Sequence, residues 1–179
     1  MHEIDQWDST AALLVATPAP VGREAAWVQA MTFIDAGHFD DAHLVASVLV
    51  TDSDGLVLLA RHRRYGQWGP IGGHVEPRDA SLSAAAAREL LEEATLVARI
   101  HPSPIDVLLS SFQCRTSTEP VLHLDVIFAA FVSGSAPALV NSDELTGLEW
   151  FATGDLPVPL LPVTTELVGL ATAAANSQG

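Results

Sequence analysis

The chain has 179 residues, of which 49% are hydrophobic, and its formal charge is −14 although it carries eight arginines. This length and hydrophobic content suit one domain with a sizeable core. Such an acidic chain repels nucleic-acid backbones, which argues against a broad DNA or RNA interface, and no apolar run approaches the roughly 18 residues of a membrane span. The acidic first residues also argue against a secretory leader, so we expect a cytoplasmic protein.

The first 42 residues are the least readable part of the chain. We predict a largely helical N-terminal extension over residues 1–42 that packs on a domain spanning residues 43–179. Apolar residues recur at helical intervals over residues 23–36 and predict a helix there. The role of the extension stays open between covering a sheet, forming a homodimer contact and contributing to a pocket.

Two predicted strands follow, over residues 44–50 and 56–60, joined by a turn at 52–55. Arg61, Arg63 and Arg64 come next. If the second strand continues, these side chains alternate in direction, so one or two would face a pocket and hold a small anion. A solvated surface position explains each of them equally well. Nearby Tyr65 and Trp68 are candidates for base recognition, and core packing is the alternative for both.

A glycine pair, Gly72 and Gly73, precedes a predicted helix over residues 80–96. The helix segment is rich in Ala, Leu and Glu, lacks Gly and Pro, and has Asp79 or Ser81 available as an N-cap. The glycines permit backbone conformations and close approaches that side chains forbid. This arrangement predicts a turn that delivers the chain into the helix.

Three glutamates, Glu89, Glu92 and Glu93, lie on one side of this predicted helix. Like charges at such spacing cost roughly 0.2–0.5 kcal/mol per pair in an isolated helix. Arg88 can pair with Glu92 at i,i+4, but one cation cannot neutralise three anions. Because Mg²⁺ and Mn²⁺ prefer carboxylate and phosphate oxygens, the pattern indicates a divalent-metal and phosphate site. A solvated acidic helix face is the alternative.

The second half of the chain predicts strands over residues 106–112 and 121–131 and a short helix over 164–174. His123 and Asp125 share one face of the second strand and could reach a ligand, but we favour a sheet-surface role for both. Cys114 has no partner for a disulfide, and we assign it no catalytic role.

The glycine turn and the acidic helix together resemble the Nudix box, G-x5-E-x7-R-E-U-x-E-E-x-G-U with U an aliphatic residue, and residues 43–157 resemble Nudix hydrolases. Gly73 stands at the first glycine and Asp79 at the first acid. The later fixed positions are occupied by Arg88, Glu89, Leu90, Glu92, Glu93 and Leu96. The resemblance implies an α+β fold, an α/β/α sandwich with a mixed central sheet.

The chain departs from the box at three points. Asp79 replaces glutamate, and eight residues rather than seven separate it from Arg88. Thr95 occupies the usual glycine near the helix end, where a β-branched residue resists a left-handed conformation. These departures motivate an alternative interpretation, a non-catalytic Nudix-like module that binds a phosphorylated nucleotide ligand. The intact set of glutamates argues against it. An isomerase of the isopentenyl diphosphate type would need a catalytic cysteine, for which Cys114 alone is poor support.

The favoured interpretation is a metal-dependent hydrolase that cleaves the diphosphate linkage of a nucleoside diphosphate joined to another group, or of a related organic diphosphate. The resemblance implies that Mg²⁺, or Mn²⁺, binds to Glu89, Glu92, Glu93 and the carbonyl of Gly72. The expected partner is a small-molecule nucleotide or diphosphate substrate.

The resemblance also implies roles for individual side chains. Glu144, six positions before Trp150, is the first choice as general base. Asp143 competes with it, and Glu92 and Glu93 are alternatives. Arg88 would orient the glutamates, whereas Asp79 would cap the helix or form the turn. The residues expected to contact substrate are Arg61, Arg63, Trp68 and Arg78, with a solvated loop position as the alternative for Arg78.

Overall fold

A computed structural model of the chain describes residues 3–37, 42–114, 117–140 and 145–177, with side chains from residue 5 onward. The helices of these residues are α1 (Glu3–Ala16), α2 (Glu24–Ala36), α3 (Leu82–Ala94) and α4 (Thr164–Asn176). The strands are β1 (Ala42–Thr51), β2 (Leu56–His62), β3 (Trp68–Gly69), β4 (Ile71–His74), β5 (Arg99–Ile100), β6 (Asp106–Phe112), β7 (Val121–Phe131) and β8 (Leu145–Ala152).

The strands of the described residues form one mixed sheet. β1 and β7 run parallel at its centre, from Ala42 opposite Leu122 to Thr51 opposite Phe131. The other strand pairs in the described residues are antiparallel. β1 is buried along almost its whole length, as expected for a central strand covered on both faces.

The edge of β1 that faces away from β7 is divided between two strands. Residues 45–48 of β1 pair with β4, whereas Val50 and Thr51 pair with β2. β4 therefore runs beside the first half of β1 and delivers the chain into the loop before α3. This division places the glycine pair of β4 next to the acidic helix.

Helices cover both faces of the sheet. In the first core cluster, α1, α2 and α3 pack on one face through side chains such as Trp7, Trp27 and Leu90. In the second core cluster, α4 packs on the opposite face through Leu167, Val168 and Ala171. The predicted α/β/α sandwich with a mixed central sheet is confirmed.

The first two helices belong to the same core as the rest of the chain. Gln6 Nε2 donates to the carbonyl of Glu76 at 2.8 Å, which connects α1 to the loop before α3. Arg23 Nη2 lies 2.7 Å from Oδ2 of the buried Asp106, which connects the start of α2 to β6. The predicted helix over residues 23–36 is present as α2, and the domain boundary at residue 42 stays a prediction.

Three sequence expectations need correction. Gly72 and Gly73, expected to form a turn, lie in strand β4 and pair with β1. β2 continues through Arg61 but ends at His62, so the condition for alternating arginines is not met. Arg63 and Arg64 lie in a turn that the amide of Gly66 closes by donating to His62 O at 2.8 Å. α3 is also two residues shorter at each end than the predicted 80–96. None of the helices in the described residues has the length and apolar composition that a membrane crossing requires.

Candidate active site

α3 carries the predicted metal ligands, and both of its ends are defined by specific contacts. At its start Ser81, rather than Asp79, is the N-cap, because its hydroxyl accepts a hydrogen bond from the amide of Ala84 at 3.1 Å. At its end Thr95 adopts the left-handed conformation, φ 51° and ψ 35°, and its amide donates to Leu91 O at 3.0 Å. The chain therefore keeps the backbone shape that glycine usually takes at this end.

Arg88 is the centre of the hydrogen-bond network beside α3. Its Nε and Nη2 donate to the two carboxylate oxygens of Asp79 at 3.0 and 2.9 Å. Its Nη1 donates to Glu89 Oε1 at 2.7 Å and to Glu92 Oε2 at 3.1 Å. Its Nη2 also reaches the carbonyl of His74 at 3.0 Å. One guanidinium group thus holds two of the predicted ligands and the loop that faces them, which is the geometry expected of an orienting residue.

The pairing of Arg88 with Asp79 changes the pKa of both groups. Burial by itself raises the pKa of Asp79, but hydrogen bonds from Arg88 and the Glu76 amide, with the charges of Arg88 and Arg78, outweigh it and lower the pKa overall. The hydrogen bond with Asp79 raises the pKa of Arg88 against the opposing effect of burial. Asp79 also forms the turn, since Glu76 N donates to its Oδ2 at 2.8 Å. Of the two roles predicted for Asp79, the structure shows the turn and not the cap.

Arg78 and Glu76 extend this network toward solvent. Arg78 Nε lies 2.6 Å from Glu76 Oε2, and its Nη2 lies 3.3 Å from Glu92 Oε1. The side chain of Arg78 is 65% exposed, so the residue is both ion-paired and largely solvated. Sequence reasoning assigned no role to Glu76. Its position could have indicated this role, because Glu76 lies between Gly73 and Arg88, at a position for which the Nudix box specifies no residue type.

The glycine pair makes room for the acidic helix. A Cβ at Gly73 would lie 2.5 Å from Glu89 Oε1, so only glycine allows this carboxylate to rest against β4. A Cβ at Gly72 would clash with Ser47 on β1. The side chain of Glu89 is 13% exposed and that of Glu92 is 49% exposed. Glu89 therefore faces the sheet, whereas Glu92 is open to solvent and to a ligand.

We call the carboxylates and guanidinium groups at this helix the acidic cluster. Within the described part of the chain, ion pairs connect Glu76, Asp79, Glu89, Glu92, Arg78 and Arg88. We include Glu93, a buried residue of the same helix, because it follows Glu92 in the chain. Its five carboxylates outnumber its two guanidinium groups by three when all are ionised. A donor set made only of oxygen, with excess negative charge, suits a hard divalent cation. The residues present therefore fit the metal that the sequence predicts.

Other predicted site residues lie elsewhere. Trp68 is 8% exposed, belongs to the second core cluster on the α4 face and packs edge-on against Phe151 at 5.1 Å. Its predicted substrate contact is not supported, because its ring fills the core on the face opposite α3. Arg61 is exposed and donates to Gly66 O at 3.2 Å. Its role and that of the turn residue Arg63 stay predictions.

Four further residues were named from the sequence, two in the segment before Trp150 and two on β7. Glu144 and Asp143, the candidate bases before Trp150, lie outside the described residues. The sheet-surface interpretation of His123 is wrong, since its side chain is fully buried. Asp125 accepts a hydrogen bond from Ser47 Oγ at 2.9 Å. Burial raises the pKa of Asp125 to about 7, the Ser47 hydrogen bond opposes this shift, and the charge of Asp106 adds to it.

The fold, together with the family match over most of the chain, makes this protein a pyrophosphohydrolase, an enzyme that cleaves phosphoric anhydrides. The model of the NUDIX domain family matches residues 41–168, and the chain belongs to this family.

Individual relatives agree with that assignment. A Bacillus subtilis (strain 168) protein described as "Putative 8-oxo-dGTP diphosphatase" is 29% identical over 117 residues, which cover 65% of this chain and 71% of the relative. A NUDIX family hydrolase from Clostridium perfringens superimposes with a TM-score of 0.59 at 22% identity, covering 76% of this chain and 98% of that one. The NUDIX domain of Shewanella oneidensis NrtR, solved with ADP ribose, gives a TM-score of 0.59 at 20% identity over 83% and 97% of the two chains. At these identities the solved structures show a shared fold.

Proposed function

We propose that this protein hydrolyses the diphosphate linkage of a nucleoside diphosphate joined to another group, or of a related organic diphosphate, with Mg²⁺ at the acidic cluster. The observation that carries the proposal is the convergence of Glu89 and Glu92 on Arg88, at 2.7 and 3.1 Å, beside a glycine that leaves space for Glu89. The names of two relatives support this substrate class, because 8-oxo-dGTP and ADP ribose both join a nucleoside to a phosphoric anhydride.

Glu89, Glu92 and Glu93, with the carbonyl of Gly72, are the groups that would hold the cation. Mn²⁺ suits the same oxygen donors. When bound, such a cation neutralises negative charge on the diphosphate oxygens and on the leaving group. The half-exposed Glu92 is the member of this set that an incoming substrate meets first.

The side chains of the protein prepare the site before the substrate arrives. Arg88 holds Glu89 and Glu92 in position, so these carboxylates lose little further freedom on binding. Water attacks one phosphorus, the bond from that phosphorus to the bridging oxygen breaks, and each product carries a phosphate group. We assign the water's proton to Glu144 on the basis of its spacing before Trp150, with Glu92 and Glu93 as alternative bases.

Arginine side chains are the proposed contacts for the substrate anion. Arg78 is 65% exposed and lies 3.3 Å from Glu92, so it is the cation that a diphosphate at the acidic cluster would meet. Arg61 and Arg63 would hold the distal part of the substrate. A guanidinium group suits this task because its donors match phosphate oxygens in pairs.

The first experiment supplies purified protein with Mg²⁺ and a panel of nucleoside diphosphate compounds, and measures phosphate-containing products. A Glu92→Gln/Glu93→Gln variant tests the acidic cluster. Glu166→Gln is the matched control, since Glu166 is an exposed glutamate on α4 at the other face of the sheet. We expect Mg²⁺-dependent turnover in the wild type and control, and a loss of about 10²-fold or more in the double variant, as for removal of other preorganised charge-stabilising groups.

Thermal unfolding of each variant shows whether a loss of turnover reflects a loss of folded protein. Equal turnover in a folded double variant contradicts the proposed role of the acidic cluster. Tight binding of one compound by the wild type without turnover favours the non-catalytic binding module instead.

A further inference from the structure

A second group of metal-binding side chains lies on the sheet, and it differs in chemistry from the acidic cluster. His43, His74, Cys114 and His123 each contribute one donor atom, and these atoms all lie within 4.8 Å of one another. We call this group the histidine-cysteine cluster. In β1 and β7 the adjacent Leu44 and Leu124 face the first core cluster, so His43 and His123 face the opposite side of the sheet from α3.

Two of the donor-to-donor distances are close to those of a tetrahedral site, and all of them lie within 4.8 Å. His43 Nδ1 lies 3.2 Å from His123 Nε2 and 3.3 Å from Cys114 Sγ. Bond lengths of about 2.0–2.1 Å for Zn–N and about 2.3 Å for Zn–S give ligand-to-ligand edges of about 3.3–3.6 Å in a tetrahedron. These two edges therefore fit such an ion, and the donors that lie farther apart, within 4.8 Å, would draw together on binding.

His123 is already in the tautomer that a ligand requires. Its Nδ1 lies 2.9 Å from Val121 O, and because a carbonyl only accepts, Nδ1 carries the proton and Nε2 presents a lone pair. This is the arrangement of metal-binding histidines, whose second nitrogen donates to a backbone or carboxylate oxygen.

Cys114 lies beside a hydroxyl group that can donate a hydrogen bond to its sulfur. It is 8% exposed, and its Sγ lies 3.3 Å from the hydroxyl of Ser117. The amide of Cys114 donates to that same hydroxyl oxygen at 3.2 Å, which leaves the hydroxyl hydrogen available to the sulfur. A hydrogen bond donated to sulfur stabilises its charged form. The thiolate is the form of cysteine that binds metals.

A neighbouring aromatic ring fixes the orientation of one member of the cluster. The ring of Phe112 stacks on His123 with centroids 3.8 Å apart and planes within 10°. Contacts that orient a ligand ring are typical of prepared metal sites. A cavity of about 210 Å³ borders the cluster, since its lining includes His43 and His74 as well as Trp7 of α1.

From this geometry we infer that His43, His74, Cys114 and His123 form a transition-metal site of the Zn²⁺ type, separate from the oxygen-rich acidic cluster. Imidazole and thiolate ligands select zinc and similar ions, whereas carboxylates select Mg²⁺ and Mn²⁺. His74 joins the two sites, because its side chain belongs to the histidine-cysteine cluster and its carbonyl accepts a hydrogen bond from Arg88.

The test titrates metal-stripped protein with Zn²⁺ in the presence of excess Mg²⁺, which occupies hard-cation sites. We expect one Zn²⁺ per chain and an increase in the unfolding temperature of the wild type. Cys114→Ser should weaken Zn²⁺ binding by at least about 10–100-fold, the loss known for outer-shell partners alone. Co²⁺ should give a thiolate-to-metal charge-transfer absorption in the wild type that Cys114→Ser lacks.

Two matched variants separate this proposal from its alternatives. His101→Gln changes a histidine outside the cluster, which bonds to Ser103 O at 2.8 Å, and should leave Zn²⁺ affinity unchanged. Glu92→Gln/Glu93→Gln should also bind Zn²⁺ normally even though its hydrolysis is lost. Unchanged affinity in a folded Cys114→Ser variant, or loss of Zn²⁺ binding in the glutamate variant, overturns the inference.

Discussion

Replacement of Thr95 by glycine should stabilise the protein, because Thr95 ends α3 in a left-handed conformation at φ 51°. A non-glycine residue in this region costs roughly 1–2 kcal/mol. Glycine avoids this cost but loses about 0.5–1 kcal/mol more through the freedom of the unfolded chain. The side chain of Thr95 is exposed, so little packing is lost. The balance predicts a gain of about 0.5–1 kcal/mol in the free energy of unfolding.

Urea unfolding measures this gain directly, and thermal unfolding should show an increase of about 1–4 °C for a chain of this size. Thr95→Ala is the matched control, since alanine keeps a Cβ and hence most of the left-handed cost. We expect its stability to remain near that of the wild type. Turnover should be unchanged in both variants, because Glu89, Glu92 and Glu93 precede the altered residue. A lower stability in Thr95→Gly than in Thr95→Ala would refute the reasoning.

The remaining predictions concern the surroundings of Arg88 and Glu89. Asp79→Asn removes a charged hydrogen-bond partner of Arg88 and should cost about 1–3 kcal/mol at pH 7 by urea unfolding. Because the folded-state pKa of Asp79 is lowered, its stabilisation is complete above the unfolded pKa of 3.8 and is lost as pH falls through the folded value. The difference in the free energy of unfolding between wild type and Asp79→Asn should therefore shrink below about pH 4. A difference that does not change with pH would contradict this account. Gly73→Ala places a Cβ 2.5 Å from Glu89 Oε1, which should displace that flexible carboxylate and lower kcat/KM by about 10²-fold with little change in the unfolding temperature. Gly154→Ala, where a Cβ meets no atom within 4 Å, should match the wild type in turnover, and full activity in Gly73→Ala would show that the position of Glu89 does not matter.

The elements that sequence reasoning placed well are those with a strong local pattern. β6 and β7 begin and end where predicted, at residues 106–112 and 121–131, because long apolar or alternating runs are bounded by polar connections.

The ends of α3 are set by two residues. The side chain of Ser81 caps the start of the helix, and the left-handed Thr95 ends it. Local chemistry therefore explains both the prediction of this helix and its two-residue error at each end.

The short strands β3, β4 and β5 were not predicted, since a sequence of two to four residues carries little periodic signal. β4 contains Gly72 and Gly73, and glycine disfavours strands. It forms because the four residues 71–74 pair with β1. The role of Trp68 was also open from the sequence, which allowed either base recognition or core packing. Its ring belongs to the core because α4 packs on the same face of the sheet.

The sequence by itself determined the acidic helix and the side chains that it carries, because Arg88, Glu89, Glu92 and Glu93 lie within two helical turns and their relation follows from helix geometry. Only the tertiary structure decided that Asp79 and the carbonyl of His74 also meet Arg88. The histidine-cysteine cluster depends on the fold more completely. His43 and His123 are 80 positions apart and become neighbours because parallel pairing of β1 with β7 sets them opposite each other. Parallel strands are joined by long crossover connections rather than by a tight turn, so no local pattern in the chain sets this pairing.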